Sequence, residues 1–234
     1  MIVKNDLFDY KDRYIIQDNE GFKFSLDSIL LAEYIQNIKK NEIIVDLCAG
    51  NMAVGLILSK YFDNNITGFE IQKEVFDMAV KSIEINNLNR LNVINDDVNN
   101  IGKYYPKKSI DIMVCNPPYF KLDKTSLLNK NNKLSIARHE IALNLENIFQ
   151  IANSYLKDTG KLYMVHRANR LDEIIVIASK YNVNVKNIQL ITTKEEMEPY
   201  IVLIKCVKNS KFGVKIAPEK CIQNLKTYQN IFKE

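Results

Sequence analysis

The stretch EIIVDLCAGN, residues 42–51, has the composition of a buried strand followed by a tight turn. Ile43, Ile44, Val45 and Leu47 form a nearly continuous apolar run rich in β-branched side chains. Such a run is typical of a strand that is covered on both faces in a parallel sheet. Apolar residues at helical spacing follow over 52–62. The stretch therefore predicts a strand–loop–helix unit.

The same alternation continues outward along the chain. Besides residues 42–48, strands are predicted at 65–70, 91–95, 110–115, 161–166, 185–192 and 200–207. Further helices are predicted at 73–86, 145–157 and 171–181, and the helix at 145–157 is expected to end at a turn over 158–160. This order indicates an α/β fold with a doubly wound, mainly parallel sheet, and the last two strands indicate an antiparallel hairpin at its edge. Ligands of such sheets bind at the carboxyl ends of the strands.

The domain organisation is simple. Residues 1–234 are expected to form one domain, in which residues 1–40 are an N-terminal extension with one helix. Residues 120–140, with several lysines and asparagines, are expected to be an inserted loop. The tail from Phe212 onward is expected to be irregular, because Pro218 interrupts any regular element.

Composition excludes several classes of protein. The start lacks the apolar segment of a signal peptide, and no apolar run approaches the roughly 20 residues of a membrane helix. Four cysteines form no CxxC pair, and Cys48 and Cys115 fall in apolar runs, so they are interpreted as buried hydrophobic residues of a cytoplasmic protein. The net charge of +4 permits an anionic partner without requiring one.

The strongest chemical signal is NPPY, residues 116–119, directly after the strand at 110–115. Pro117 keeps Asn116 out of the helical conformation, and two successive prolines stiffen the chain. The segment offers the Asn116 side-chain oxygen, the Pro117 carbonyl and the Tyr119 ring. These groups suit an amine on a conjugated ring, because two acceptors can hold its N–H groups while the aromatic side chain stacks on the base.

Loops after the other strands suit a nucleoside cofactor. Gly50 follows the first strand, where a residue without a side chain lets the backbone approach a ligand. Glu70 ends the second strand, as expected of a carboxylate that binds ribose hydroxyls, and Asp97 follows the third strand, where it can meet an adenine amino group. A solvated strand end for Glu70 and a helix cap for Asp97 are the alternative interpretations.

The order of D-x-x-x-G, an acidic residue, D-D and N-P-P-Y resembles the Rossmann-like class I methyltransferases that depend on S-adenosylmethionine. FKFSLDSILLA (22–32), ARHE (137–140) and VHR (165–167), followed by Arg170, Leu171 and Glu173, are similar to the bacterial tRNA1(Val) (adenine-37) N6-methyltransferases.

This resemblance implies a seven-stranded sheet of order 3-2-1-4-5-7-6 and methylation of the N6 amine of adenosine 37 in tRNA. The cofactor contacts that it implies fall on Asp46, Gly50, Glu70 and Asp97. The base contacts that it implies fall on Asn116, Pro117 and Tyr119.

Met52 is a departure from the family pattern, in which this position is usually glycine. The side chain is expected to point into the core, since methionine adapts to irregular spaces. The alternative is that it crowds the cofactor and weakens its binding.

Cationic residues near the NPPY segment are candidates for contact with RNA phosphates. They are Lys121, Lys124 and Arg138, with Lys130 and Lys133 in the same loop. A solvated, non-functional loop is the competing interpretation. His139 has no partner histidine, so no metal site is expected.

Three other functions compete with tRNA methylation. N5-methylation of a glutamine in a protein such as a release factor poses the same chemical problem, but only about forty residues precede the first predicted strand. DNA adenine methylation would require a target-recognition domain, and none is visible in the sequence. The last alternative is a catalytically inactive RNA-binding module.

Overall fold

A computed structural model describes residues 1–8, 10–118, 143–195 and 197–224. The strands are β1 (Ile2–Leu7), β2 (Tyr10–Asp18), β3 (Ile44–Asp46), β4 (Ile66–Phe69), β5 (Leu91–Ile94), β6 (Ile110–Cys115), β7 (Leu156–Arg167), β8 (Val183–Thr192), β9 (Ile201–Lys208), β10 (Lys215–Ile216) and β11 (Lys220–Cys221). The helices are α1 (Leu26–Tyr34), α2 (Ala53–Tyr61), α3 (Lys73–Ile85), α4 (Leu145–Tyr155) and α5 (Leu171–Lys180).

The central sheet has the order β5-β4-β3-β6-β7-β9-β8, followed by β10, with β11 also paired to β8. In the numbering of the seven predicted strands this order is 3-2-1-4-5-7-6, so the predicted order is confirmed. The predicted hairpin is also confirmed, and β9 is its antiparallel member, paired on both sides with β7 and β8. All seven predicted strands are present, and two further strands of two residues each, β10 and β11, pair with β8 at the edge, so the sheet has nine strands among the described residues.

Helices cover both faces of the sheet. Successive strand residues point to opposite faces, so a continuous apolar run gives both faces apolar side chains that helices can bury. Ile44 and Val114 lie in the core cluster that includes α1 and α2, whereas Val45 and Met113 lie in the cluster that includes α4 and α5. All four side chains are fully buried. The continuous apolar runs therefore correspond to strands that are covered on both faces.

The largest difference from the predicted boundaries lies where the helix α4 meets the strand β7. The helix predicted to reach residue 157 ends at Tyr155, and β7 begins at Leu156, whose backbone is already extended. Leu156 pairs with Ile110, and the register then shifts before Lys161 pairs with Ile112. The predicted turn over 158–160 is thus an irregularity inside a strand, because the buried Leu156 side chain holds the chain on the sheet before the turn.

The N-terminal extension contains more than the single predicted helix. Besides α1 it forms the antiparallel hairpin β1–β2, whose inner strand packs against α3. Backbone N–H groups on the free edge of β2 form hydrogen bonds with side chains that are distant in sequence. Ser82 Oγ accepts a hydrogen bond from Ile16 N at 2.9 Å, and Asn86 accepts one from Tyr14 N at 2.9 Å. This docking holds the chain that follows β2, residues 19–25, over the carboxyl edge of the sheet.

Candidate active site

A cavity of about 730 Å³ lies at the carboxyl ends of β3, β4, β5 and β6. Its volume falls within the range of roughly 300–1,000 Å³ that is usual for small-molecule sites. The four loops contribute residues 47–51, 69–72, 96–98 and 116–118 to the wall. Residues 21–25 of the N-terminal extension, together with Asp27 and Ser28 of α1, also line the cavity.

The loops after β3 and β4 are joined by Glu70. Its Oε2 accepts a hydrogen bond from Gly50 N at 3.1 Å, and its Oε1 accepts one from Gln72 N at 2.8 Å. Glu70 is buried, so it is not the solvated strand end of the alternative interpretation. An ionised carboxylate can accept about four hydrogen bonds. Glu70 can therefore accept hydrogen bonds from hydroxyl groups in addition to those from the two backbone amides.

Gly50 has a left-handed backbone with φ of 55°. A Cβ atom at this position would lie 2.7 Å from Cζ of Phe22, which is far inside normal contact. The Phe22 ring thus packs directly on the glycine. The loop consequently depends on a residue that both tolerates positive φ and lacks a side chain.

The two aspartates that follow β5, Asp96 and Asp97, form hydrogen bonds with different partners. Asp97 Oδ1 accepts hydrogen bonds from the backbone and side-chain nitrogens of Asn99, each at 2.8 Å, and so caps the short 3-10 helix at 98–103. The predicted cap is therefore present, and Asp97 also lines the cavity. Hydrogen bonds from Asn100, Lys103 and Tyr104 hold the pKa of the Asp96 carboxyl well below its usual range.

Asp46 lies beneath the cavity rather than on the part of its wall that the structure describes. It is 2% exposed, and its Oδ1 accepts a hydrogen bond from Cys48 N at 3.2 Å. Its Oδ2 has no hydrogen-bond partner among the described residues. Burial raises the pKa of this carboxyl to about 7, and the nearby Glu70 carboxylate adds to the rise.

Asn116 and Pro117 leave β6 at the other side of the cavity, beside the loop that follows β3. Asn116 Nδ2 donates a hydrogen bond of 2.9 Å to Ser28 Oγ, and Pro117 is buried. The thiols of Cys115 and Cys48 are in contact. Both residues were predicted to be buried, and Cys115 is, whereas Cys48 is only partly buried and lines the cavity.

Several predicted residues lie outside the described part of the chain. They are Tyr119, Lys121, Lys124, Lys130, Lys133, Arg138 and His139. Among the residues that are described, no group of three or more histidine, cysteine, aspartate or glutamate side chains could hold a metal ion. No helix of this part is long and apolar enough to cross a membrane.

Sequence reasoning assigned no individual role to Phe22 or Ser28, although both line the cavity. They lie 28 and 88 residues from Gly50 and Asn116, the residues that they contact. The segment 22–32 was notable only for its resemblance to a family, and no local pattern indicates which strand end it reaches.

Met52 packs into the core, as expected. It is fully buried, and a Cβ atom added to Gly55 or Gly68 would lie 2.5 Å from its Cε or 2.7 Å from its Sδ. The side chain is absent from the described wall of the cavity, which gives no support to the alternative that it crowds the cofactor. Its backbone has φ of 73°, a conformation that favours glycine.

Comparison with known proteins shows which family has these features. Residues 23–196 match the family model described as "Methyltransferase small domain". The tRNA1(Val) (adenine(37)-N6)-methyltransferase of Pedobacter heparinus is 26% identical over 210 residues, which cover 87% of this chain and 84% of the relative. The protein of the same name from Cytophaga hutchinsonii is 24% identical over 188 residues, which cover 80% of this chain and 77% of the relative.

Solved structures share the fold at lower identity. A predicted O-methyltransferase from Agrobacterium tumefaciens superposes with a TM-score of 0.67 at 20% identity, covering 85% of this chain and 88% of that one. TYW2 from P. horikoshii, solved in complex with MeSAdo, superposes with a TM-score of 0.59 at 16% identity, covering 85% of this chain and 69% of that one.

Replacement of Met52 by glycine is expected to lower the free energy of unfolding by about 1–4 kcal/mol. The lost packing costs about 2–5 kcal/mol, and relief of the left-handed backbone returns about 1 kcal/mol. Met52→Ala is the matched control, since it leaves a similar cavity and keeps the strained backbone. We expect the alanine variant to be the less stable of the two in urea unfolding. A glycine variant as stable as the wild type would contradict this packing.

Ionisation of Asp46 is expected to make the folded protein less stable as pH rises from about 4 to 7. In that window the unfolded chain loses the carboxyl proton while the folded chain retains it, so the free energy of unfolding falls by about 1.4 kcal/mol for each unit of pKa difference. The Asp46→Asn variant should lack this component. Urea unfolding of both proteins at several pH values measures the difference, and parallel stability curves would contradict the raised pKa.

Proposed function

The chain belongs to the methyltransferase small domain family, and from this premise we propose that it methylates the N6 amine of an adenosine in cytoplasmic tRNA, with S-adenosylmethionine as the methyl donor. The observation that carries the proposal is the position of Asn116 and Pro117 on the same cavity as Gly50 and Glu70. The cavity thus presents acceptors suited to an amine after β6 and groups suited to a nucleoside after β3 and β4.

The residues of the cavity fit S-adenosylmethionine. Glu70 and Asp97 both line the cavity, and in this proposal Glu70 accepts hydrogen bonds from ribose hydroxyls and Asp97 accepts one from the adenine amine. Ile71, Val98 and Leu143 give the cavity apolar wall on which an adenine ring can pack. The buried Asp46 carboxyl, with one oxygen lacking a partner among the described residues, provides negative charge beneath the loop when ionised. When bound, S-adenosylmethionine supplies a methyl group on a positively charged sulfur.

The work of the protein is to present the amine correctly. The lone pair of an N6 amine is delocalised into the purine ring, which makes the nitrogen a poor nucleophile. Acceptors at Asn116 Oδ1 and the Pro117 carbonyl would hold its two N–H groups and favour the pyramidal nitrogen that forms as the lone pair leaves the ring. Pro117 and Pro118 fix this geometry before the substrate arrives. The proton lost after transfer passes to solvent without a strong base.

The finer identity of the substrate is supported by the relatives. The Pedobacter heparinus and Cytophaga hutchinsonii proteins carry the name tRNA1(Val) (adenine(37)-N6)-methyltransferase. We propose the same target, adenosine 37 of tRNA1(Val), for this chain. Lys121, Lys124 and Arg138 remain the proposed phosphate contacts and Tyr119 the proposed stacking residue. Because Met52 lies in the core, it gives no reason to favour a catalytically inactive RNA-binding module.

Transfer of label from methyl-labelled S-adenosylmethionine tests the proposal. Unmodified tRNA1(Val) transcript, DNA and a protein extract that includes release factors are offered separately to the wild type and to Asn116→Ala. We expect label in tRNA alone, and we expect the variant to reduce kcat by about 100-fold or more, since it removes an interaction that is strongest in the transition state. Its affinity for the cofactor, measured by calorimetry, should stay within about twofold.

Other outcomes identify the competing functions. Label in the protein fraction would replace the proposal with glutamine methylation, and label in DNA would replace it with DNA adenine methylation. A protein that binds tRNA but transfers no label would be an inactive RNA-binding module. Full turnover in Asn116→Ala would remove Asn116 from the reaction.

A further inference from the structure

An aromatic ring from the N-terminal extension lies on the loop that follows β3. The match to the family model begins at residue 23, so Phe22 and the hairpin β1–β2 precede the matched residues. Phe22 is nonetheless part of the cavity wall. Its ring is so close to Gly50 that a Cβ atom on the glycine would lie 2.7 Å from Cζ. A segment outside the family match thus contributes to the proposed cofactor site.

Contacts on two sides hold this ring in place. Phe22 O accepts a hydrogen bond from Asp18 N at 3.0 Å, which closes a tight loop after β2. The side chain packs on a small apolar cluster of Ile16, Val75 and Met78. Val75 and Met78 belong to α3 and line the cavity as well. The ring therefore bridges α3 and the loop after β3 at the border of the cavity.

The neighbouring groups indicate which part of a ligand this ring meets. Gly50, on which the ring packs, donates its N–H to Glu70 Oε2 at 3.1 Å. Glu70 is the residue to which we assign the ribose hydroxyls, so the ring lies beside the proposed ribose position. Phe22 is only partly buried, and the surface that it leaves open borders the cavity. The carbon atoms of a ribose are an apolar surface that an aromatic side chain can cover.

We propose that Phe22 is a cofactor-binding residue, whose ring covers the ribose of bound S-adenosylmethionine. The contact removes apolar surface from water and requires no charge on either partner. Packing on α3 and Gly50 holds the ring in place before the ligand arrives, which lowers the entropic cost of binding. The inference rests on the proposed function, because it assigns the ribose to the cavity beside Glu70.

Calorimetric titration of Phe22→Ala with S-adenosylmethionine is the first test. Apolar surface of about 50 Å² removed from water corresponds to about a tenfold gain in affinity, so Kd should rise about 5- to 20-fold. S-adenosylhomocysteine has the same ribose, and its Kd should rise by a similar factor. Phe62→Ala is the matched control, because Phe62 is also partly buried but packs on the core outside the described cavity wall. Its Kd should equal that of the wild type.

Phe22→Leu covers the case in which the alanine variant does not fold. Leucine keeps much of the apolar packing on α3 but covers less of the ligand than a ring does, so Kd should rise by about threefold. An unchanged Kd in every folded Phe22 variant would overturn the inference. A rise for only one of the two cofactor forms would also overturn it, because the ribose is common to both.

A direct measurement separates contact with the ligand from an indirect effect through Gly50. In protein with isotope-labelled phenylalanine rings, the Phe22 signals are identified by their absence from Phe22→Leu. We expect nuclear Overhauser effects between these ring protons and the ribose protons of bound S-adenosylhomocysteine. If the wild type binds the ligand and these effects are absent, the assigned contact is refuted even where Kd has risen.

Failure of the proposed function gives a different result. A wild type that binds neither cofactor form, or that binds S-adenosylmethionine and transfers no methyl group to RNA, would refute the proposed function. A wild type that binds the cofactor and methylates tRNA, with the same Kd as Phe22→Ala, would refute only the role of Phe22.

Discussion

Parallel pairing of β3 with β6 is the constraint on which the site depends. Asp46 lies opposite Val114 in the register, so the loops that follow the two strands leave the same edge of the sheet side by side. Leu47 N donates to Val114 O at 2.9 Å and continues this pairing past the end of β3. A slip of one residue would exchange the side chains that pack on the two faces, so close packing on both faces fixes the register and with it the spacing of the two loops.

The N-terminal extension completes the cavity that the sheet begins. Side chains from α3 satisfy the free edge of β2, and Asn51 Nδ2 donates to Ile16 O at 3.0 Å, which ties β2 directly to the loop after β3. The chain then carries Phe22 onto Gly50 and brings Ser28 to Asn116. The sheet thus positions the loops at the strand ends, and the extension covers them with Phe22 and Ser28.

Local sequence was sufficient for β3 to β9 because each of these strands carries a run or an alternation of apolar residues, whereas β10 and β11 are too short to leave a pattern. β6 was predicted without error, and Asn116-Pro117-Pro118 marked its end. The hairpin β1–β2 was missed because β1 is largely exposed and polar, and β2 is held by Ser82 and Asn86 from distant sequence. The Ser28 contact was missed for the same reason, since a pairing across 88 residues leaves no periodicity to detect. The resemblance to a family, by contrast, pointed to the segment without explaining its contacts.

The central claim is that acceptors at Asn116 and Pro117 select an exocyclic amine as the methyl acceptor. The position of the methyl group tests it most directly. Unmodified tRNA1(Val) is treated with the protein and S-adenosylmethionine and digested to nucleosides, which are separated and identified by chromatography and mass spectrometry. The account predicts N6-methyladenosine as the new nucleoside, and a methyl group on a ring nitrogen, a ring carbon or the ribose would contradict it.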